Sequence, residues 1–262
     1  MMKKNQLMIV VLMSGSLLLS SCEKEKSAVA ELKLSTPVLK VSPGENQVAA
    51  VLFNGDASRG SENVWKAINI EGTGALSTVT DETGVLTWKF LKPLNSHRTE
   101  VRGAKNFQAA EGDEIYIGFT SKLLIPSNLK TEAIFQWKSY PTEGSLQNHP
   151  LMLRTKGGKL ELQHFDDSHV ATVPWSINLP VNTWMSFVIR MKVSRNPSVG
   201  FIEFWYNGVK QTLANGTERL TCRTLDVADC DPKWGVYGGD EAEVTHYVKK
   251  IRIGTTYADA AQ

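Results

Sequence analysis

Only three cysteines occur in 262 residues, and the first of them, Cys22, closes an N-terminal processing signal. The remaining two, Cys222 and Cys230, have no histidine near them, which leaves too few ligands for a zinc site. No segment sustains a 3.6-residue apolar period over three turns, so a helical bundle is excluded. No internal repeat is present, which excludes a solenoid. Net charge is nearly missing as well. Removing residues 1–22 takes away Lys3 and Lys4 and no acid, so the formal charge falls from +2 to 0. A chain this balanced has no global field for nucleic acid, and any grip on a polyanion must come from local clusters of base.

What is there begins with the signal. Lys3 and Lys4 precede a largely apolar stretch from Leu7 to Leu19, too short for a spanning helix. The run Leu18-Leu19-Ser20-Ser21-Cys22 has the form of a bacterial lipobox, with Cys22 lipidated as the new N-terminus. This predicts a protein lipid-anchored at the bacterial cell envelope, on the outer membrane, facing either the periplasm or the surface. Residues 23–47, rich in Lys, Glu, Ser and Pro, read as a flexible tether. Residues 48–262 read as one domain, large enough to bury a substantial core and expected to be monomeric. In an oxidising compartment a Cys222–Cys230 disulfide closing a short loop is the natural expectation.

The domain is patterned for strands throughout. Glu114 to Lys122, Ala133 to Lys138, Leu160 to His164, Met185 to Val193 and Tyr247 to Ile253 alternate apolar and polar residues. Turn signals at Gly157-Gly158, Asn207-Gly208 and Asn215-Gly216 separate such runs. Many short strands at this spacing predict an all-β fold, a two-sheet antiparallel sandwich of jelly-roll, concanavalin A-like type.

Parity along four strands points to function. Met185, Phe187, Ile189, Met191 and Val193 share one face, leaving Arg190 and Lys192 on the other. Arg98, Glu100 and Arg102 lie together, with Thr99 and Val101 behind. Phe135 and Trp137 face one way, Gln136 and Lys138 the other. Trp234 and Val236 point inward, Lys233, Gly235 and Tyr237 outward. One such row is a solvated sheet face; several on one sheet make a basic groove with a phenol in it. His149, beside Pro150 at a strand start, is a candidate for the same groove. His164, His169 and His246 read as surface or loop residues. Asp166-Asp167 and Asp229-Cys230-Asp231 leave room for a structural calcium, although neither has a recognisable ligand spacing.

Arg98-Thr99-Glu100-Val101-Arg102 resembles the Arg-Ser-Glu-Leu-Arg strand of jelly-roll alginate lyases. Gln136-Trp137-Lys138 resembles their Gln-Ile-His strand, and Lys233-Trp234-Gly235-Val236-Tyr237 their Lys-Ala-Gly-Val-Tyr strand. The glucuronan lyases (polysaccharide lyase family 20) and heparin lyase I are more similar still. They share the succession Gln136-Trp137, Pro150-Leu151-Met152-Leu153, Gly157-Gly158, Trp184, Trp205-Tyr206-Asn207-Gly208, Lys233 to Tyr237 and Val248 to Gly254. The resemblance spans residues 65–254.

The resemblance implies cleavage of a uronic-acid-containing polysaccharide by β-elimination, with no cofactor required for the chemistry. The proton at C5 is too weakly acidic while the neighbouring carboxylate is ionised, so donors must neutralise that carboxylate as enolate-like charge forms. A base then takes the proton and an acid protonates the leaving oxygen. The implied roles are carboxylate binding for Gln136 and Arg98, base or acid for Tyr237, and either help in neutralising the carboxylate or the base's role for His97. Arg102, Arg190, Lys233, Tyr206 and His149 would hold neighbouring sugars, with Glu100 orienting the arginines. Lys138 stands where the alginate lyases carry His, and serves there either as base or as carboxylate clamp. A non-catalytic glycan-binding sandwich would use the same groove. A glycoside hydrolase would need two carboxylates across the bond, and the Glu-x-Asp-x-x-Glu strand of sandwich glucanases is absent.

Overall fold

The computed structural model describes residues 49–126, 131–139, 149–166 and 168–261. The signal, Cys22, the tether and Asp167 lie outside the described residues. Two antiparallel sheets face each other across one apolar core. The first contains β1 (Val51–Asn54), β3 (Ala75–Thr80), β4 (Leu86–Lys92), β7 (Glu114–Leu124), β12 (Met185–Lys192), β13 (Phe201–Tyr206), β14 (Val209–Lys210), β15 (Leu220–Thr221) and β17 (Val244–Gly254). The second contains β2 (Trp65–Glu71), β5 (Arg98–Ala104), β6 (Ala109–Ala110), β8 (Glu132–Ser139), β9 (Leu151–Lys156), β10 (Lys159–Phe165), β11 (Ala171–Asn178) and β16 (Asp229–Gly238). The order is β14-β13-β12-β7-β17-β4-β3 in the first sheet and β11-β10-β9-β8-β16-β5-β2 in the second. Two short helices, α1 (Ser61–Val64) and α2 (Tyr257–Ala260), complete the described elements with one 3-10 turn.

The turns follow from residue type. The β9–β10 hairpin turns on Gly157 (φ 55°) and Gly158 (φ 76°), and β13–β14 on Asn207 (φ 48°) and Gly208 (φ 79°). Both are two-residue turns with positive φ at each central position, whose twist matches that of the flanking strands.

Aromatic rings fill the space between the sheets. Trp234 of β16 lies 5.6 Å from Trp65, 5.4 Å from Phe135 and 6.1 Å from Phe119, centroid to centroid. Such pairs contribute roughly 0.5–1.5 kcal/mol each beyond their buried area. This cluster also fixes register. A one-residue slip of β16 would expose Trp234 and drive Lys233 into the core. Packing at Trp234 therefore dictates what β16 presents on its other face.

Two histidines read as surface residues belong to the interior. His246 of β17 is fully buried; its Nδ1 lies 2.8 Å from the Gly235 carbonyl of the opposite sheet and its Nε2 2.7 Å from Ser121 Oγ. A carbonyl only accepts, so Nδ1 donates and the hydroxyl of Ser121 donates to Nε2. Burial holds this imidazole neutral, down to about 4. His164 is also buried, with Nε2 2.8 Å from the Arg223 carbonyl. His169 does sit in a loop, exposed, at φ 59°.

The expected disulfide is not formed: Cys222 and Cys230 are separate buried thiols. Cys222 follows an edge strand of the first sheet, whereas Cys230 lies within β16 with Sγ 2.9 Å from Ser139 Oγ. Burial pushes the Cys230 thiol up to about 12, which suppresses the thiolate that oxidation needs.

Candidate active site

β8, β16 and β5 lie side by side in the second sheet, and the polar residues of the expected groove share the sheet's outer face. Register sets Gln136, Lys233 and Arg102 in one cross-strand row. Gly235 stands opposite Glu100 in the next row, and Tyr237 opposite Arg98 in the one beyond. Neighbouring strands are about 4.8 Å apart, so the three side chains of a row span roughly one sugar ring's surroundings. β8 and β16 slip register between Trp234 and Tyr237, an irregularity of the kind that re-aims side chains beside active sites.

Glu100 is the hub. It is 2 % exposed, and a carboxylate so buried requires partners. Gln136 Nε2 donates to Oε1 at 2.5 Å, Lys233 Nζ donates to Oε2 at 2.5 Å, and Arg98 Nε lies 3.5 Å from Oε2. Glu100 thus ties together three groups that carry donors toward the groove. Gly235 makes this close packing feasible. It has φ +140°, and a Cβ there would lie 2.3 Å from the Thr99 carbonyl oxygen and 2.5 Å from Glu100 Cα. The His246 hydrogen bond to its carbonyl supports the same point of the floor from beneath.

Tyr237 is flanked on two sides. The Arg98 guanidinium carbon sits 4.3 Å from its ring centroid, a cation–π contact. The His97 ring meets it edge-on, 4.9 Å between centroids at 83°. His97 lies one residue before β5 begins, which frees it from strand parity and lets it turn to the tyrosine. Its Nδ1 is 3.0 Å from Asp240 Oδ1.

Lys138 follows Gln136 on the same face of β8 and is half-buried. Among the described residues it has no ion-pair partner. The acid opposite it in register, Asp231, is engaged by Lys66 at 2.6 Å instead. Burial, then the Lys233 cation, hold the Lys138 ammonium below the ordinary lysine range. The Lys233 ammonium is lowered by burial too, with Glu100 opposing. His149 packs edge-on against Phe165 at 4.8 Å. Its imidazole is held neutral, at about 4, by burial and then by Lys138, Lys233 and Arg154. It therefore belongs to the same basic groove.

A sequence profile of the polysaccharide lyase family matches residues 43–260. The chain belongs to that family. No curated protein matches it. Among solved structures, this lyase is similar to an endo-β-1,4-glucuronan lyase from the fungus Trichoderma reesei, with TM-score 0.64 and 18% identity over 80% of this chain and 98% of that one. It is similar also to a family 7 alginate lyase in complex with its substrate, with TM-score 0.54 and 11% identity over 76% of this chain and 96% of that one. At such identity these likenesses speak to the fold, an all-β two-sheet sandwich of jelly-roll type.

Two expected site residues of the lyase lie elsewhere. Arg190 is on β12, in the first sheet, where it pairs with Glu114 and, at 3.1 Å, with Glu203. Tyr206 ends β13 of the same sheet and packs on Trp175 and Phe187 at 5.3 and 5.8 Å. Alternation identified the face of Arg190 but carries no information on which sheet a strand joins, and Tyr206 turns toward the core. Of the acids reserved for calcium, Asp231 pairs with Lys66, Asp166 Oδ1 accepts from the Ser168 and Val170 amides, and Asp167 lies outside the described residues. Among the described residues no group of His, Cys, Asp and Glu is arranged to hold a metal.

Three groove residues escaped the sequence reading. Met152 and Gln163 extend the Gln136 row across β9 and β10. Arg154, on the same face of β9, is held by Glu161 at 2.8 Å. The alternation of Leu151, Leu153 and Thr155 against Met152 and Arg154 was the signal available for them. Hollows of about 370 Å³ beside His164 and Arg223, and of about 500 Å³ beside Trp184 and Lys249, lie away from this groove.

Proposed function

We propose that this lyase cuts a uronic-acid-containing polysaccharide, glucuronan-like or alginate-like, by β-elimination in the groove of the second sheet. Lys138 carries the reading. A half-buried ammonium without a carboxylate partner among the described residues, next to a second cation and a neutral imidazole, is costly unless an anion completes it. A uronate carboxylate is such an anion. The glucuronan lyase and the alginate lyase that share the fold add support, since their substrates are polyuronates.

The residues divide the work as follows. Lys138, Gln136 and Arg98 donate to the substrate carboxylate and hold the charge that builds on it as the C5 proton leaves. The freed electron pair forms the C4–C5 double bond while the C4–O bond breaks. His97 and Tyr237, in contact at one end of the floor, act as base and acid, one taking the C5 proton and the other protonating the departing oxygen. Glu100 keeps Gln136, Lys233 and Arg98 converged between turnovers.

The test is ultraviolet absorbance from the conjugated double bond during incubation with a panel of polyuronates. A rise with one polymer supports the reading and names the substrate. Binding without absorbance would replace it with the glycan-binding reading, and new reducing ends without absorbance with hydrolysis. Tyr237→Phe, which removes a single hydroxyl, should abolish turnover at unchanged stability. We also propose that a lipid on Cys22 tethers the enzyme to the cell envelope, on the strength of Leu18 to Cys22. Incorporation of labelled palmitate that is lost in Cys22→Ala would support it; an unlabelled wild type would refute it.

A further inference from the structure

We infer that Asp240 is a positioning residue for His97, fixing the tautomer that makes His97 the base and leaves Tyr237 the acid. The inference rests on the elimination reading above and goes beyond it by assigning the two proton-transfer roles. A carboxylate only accepts, so the 3.0 Å contact between His97 Nδ1 and Asp240 Oδ1 requires the proton on Nδ1. Nε2 then carries the lone pair. An unpartnered imidazole favours the opposite tautomer, with Nε2 protonated and unable to accept. The carboxylate therefore decides whether Nε2, the nitrogen it leaves to the substrate, is a base.

Both side chains are substantially exposed, 44% for His97 and 58% for Asp240, so the pair gains little as a surface ion pair. What marks it as built is the backbone around it. The Asn95 amide donates to the Asp240 carbonyl at 2.9 Å, and the Gly238 amide to the His97 carbonyl at 3.2 Å. Beneath the two loops lies Lys92, fully buried. Its ammonium donates to the carbonyls of Ser96 at 3.2 Å, Ala242 at 3.3 Å and Gly239, with the Glu132 carboxylate 3.2 Å away. Ser96 precedes His97 in the chain and Gly239 precedes Asp240. One buried cation thus holds the backbone next to each member of the pair, and Tyr237 stands where the two loops meet.

In the reaction the C5 proton passes to His97 Nε2, whose imidazolium then lies against the Asp240 carboxylate. The C5–H electron pair becomes the C4–C5 double bond, and the Tyr237 hydroxyl gives its proton to the leaving glycosidic oxygen. Two proton transfers then restore the resting forms, one from the imidazolium to water and one from water to the tyrosinate. No oxidant or reductant is needed.

The test combines nitrogen NMR of the histidine rings with steady-state kinetics on full-length protein. His97 is assigned by its disappearance in His97→Gln. Neutral His97 should be protonated on Nδ1 in the wild type and mainly on Nε2 in Asp240→Ala. Asp240→Ala should lower kcat about 10- to 100-fold with KM little changed, short of the whole contribution of a general base at roughly 10²–10⁴. Asp240→Glu should recover part of the loss. In a His97→Gln background the Asp240→Ala change should cost nothing further, whereas a merely structural role would cost the same in both backgrounds. Wild-type His97 protonated on Nε2, an unchanged kcat, or multiplicative losses would each overturn the assignment. If no polyuronate yields the double bond, the elimination reading fails, and the tautomer measurement still decides whether Asp240 sets the state of His97.

Discussion

His246 and Glu132 are both buried and titrate in opposite senses, and acid stability should reveal both. Burial lowers the His246 imidazole from 6.5 to about 4, while it raises the Glu132 carboxyl from 4.5 to about 7 against the pull of Lys92. At about 1.4 kcal/mol per pH unit, each displacement is worth about 3 kcal/mol. The signs differ. A histidine with a depressed folded pKa binds its proton more readily in the unfolded chain, so stability is lost as pH falls from 6.5 through about 4. A carboxyl with a raised folded pKa binds its proton more readily in the folded chain, so its relative stabilisation is full below 4.5 and is lost as pH rises through about 7. In the wild type the two largely cancel between those limits. His246→Asn removes the first while keeping an amide donor for the Gly235 carbonyl. It should gain about 3 kcal/mol relative to the wild type between about pH 7 and pH 4, from a lower starting stability because Ser121 loses its acceptor. Glu132→Gln should lose up to about 3 kcal/mol relative to the wild type over the same range. His149, which also titrates at about 4, is common to all three proteins and drops out of the comparison. The assay is urea unfolding followed by tryptophan fluorescence at several pH values. Parallel stability curves for wild type and both variants would refute the reasoning.

Other outcomes are equally open to measurement. Lys138→Met should raise KM for the polymer by roughly tenfold, the loss of one charge-assisted contact, while folding stability rises because a half-buried cation without an ion-pair partner among the described residues is gone. A drop in stability would mean that Lys138 has an internal partner. Arg190→Ala should leave turnover unchanged and cost about 1 kcal/mol of stability through Glu114 and Glu203; a loss of kcat would return the first sheet to the site. Unfolding without reductant should expose the Cys222 and Cys230 thiols to a thiol reagent, and reductant should not alter the unfolding midpoint. A midpoint that falls with reductant would reinstate the disulfide.

Much of the site could be read from the chain because period-two alternation is a local property. Arg98, Glu100 and Arg102 were grouped correctly, as were Gln136 with Lys138 and Lys233 with Tyr237, since each comb of apolar residues left its polar counterparts on the other face. Sheet membership is not local. Arg190 sits on a strand with the same alternation, and only hydrogen bonding between distant segments sends β12 to one sheet and β8, β16 and β5 to the other. His246 was misread for a related reason. Its neighbours alternate as a strand should, but the partners that make a buried imidazole tolerable, Ser121 and Gly235, lie 125 and 11 residues away. Asp240 and Lys92 carry no motif at all. Their importance follows from two loops meeting beside Tyr237, which depends on the strand order.

The position of the last two long strands bears on how the molecule can be made. β16 lies between β8 and β5, and β17 between β7 and β4, so each sheet is closed at its middle by the C-terminal fifth of the chain. A polypeptide emerging N-terminus first holds β1, β4, β5, β6, β7 and β8 without a β16 or β17 partner until residues 229–254 are available. Unpaired edges invite pairing with other chains. Folding should therefore await the C-terminus, with closure of these long loops setting its pace. Truncation before Asp229 should yield an aggregating chain rather than a smaller domain. Because β16 also brings Lys233 and Tyr237, the insertion that completes the second sheet assembles the candidate site in the same event.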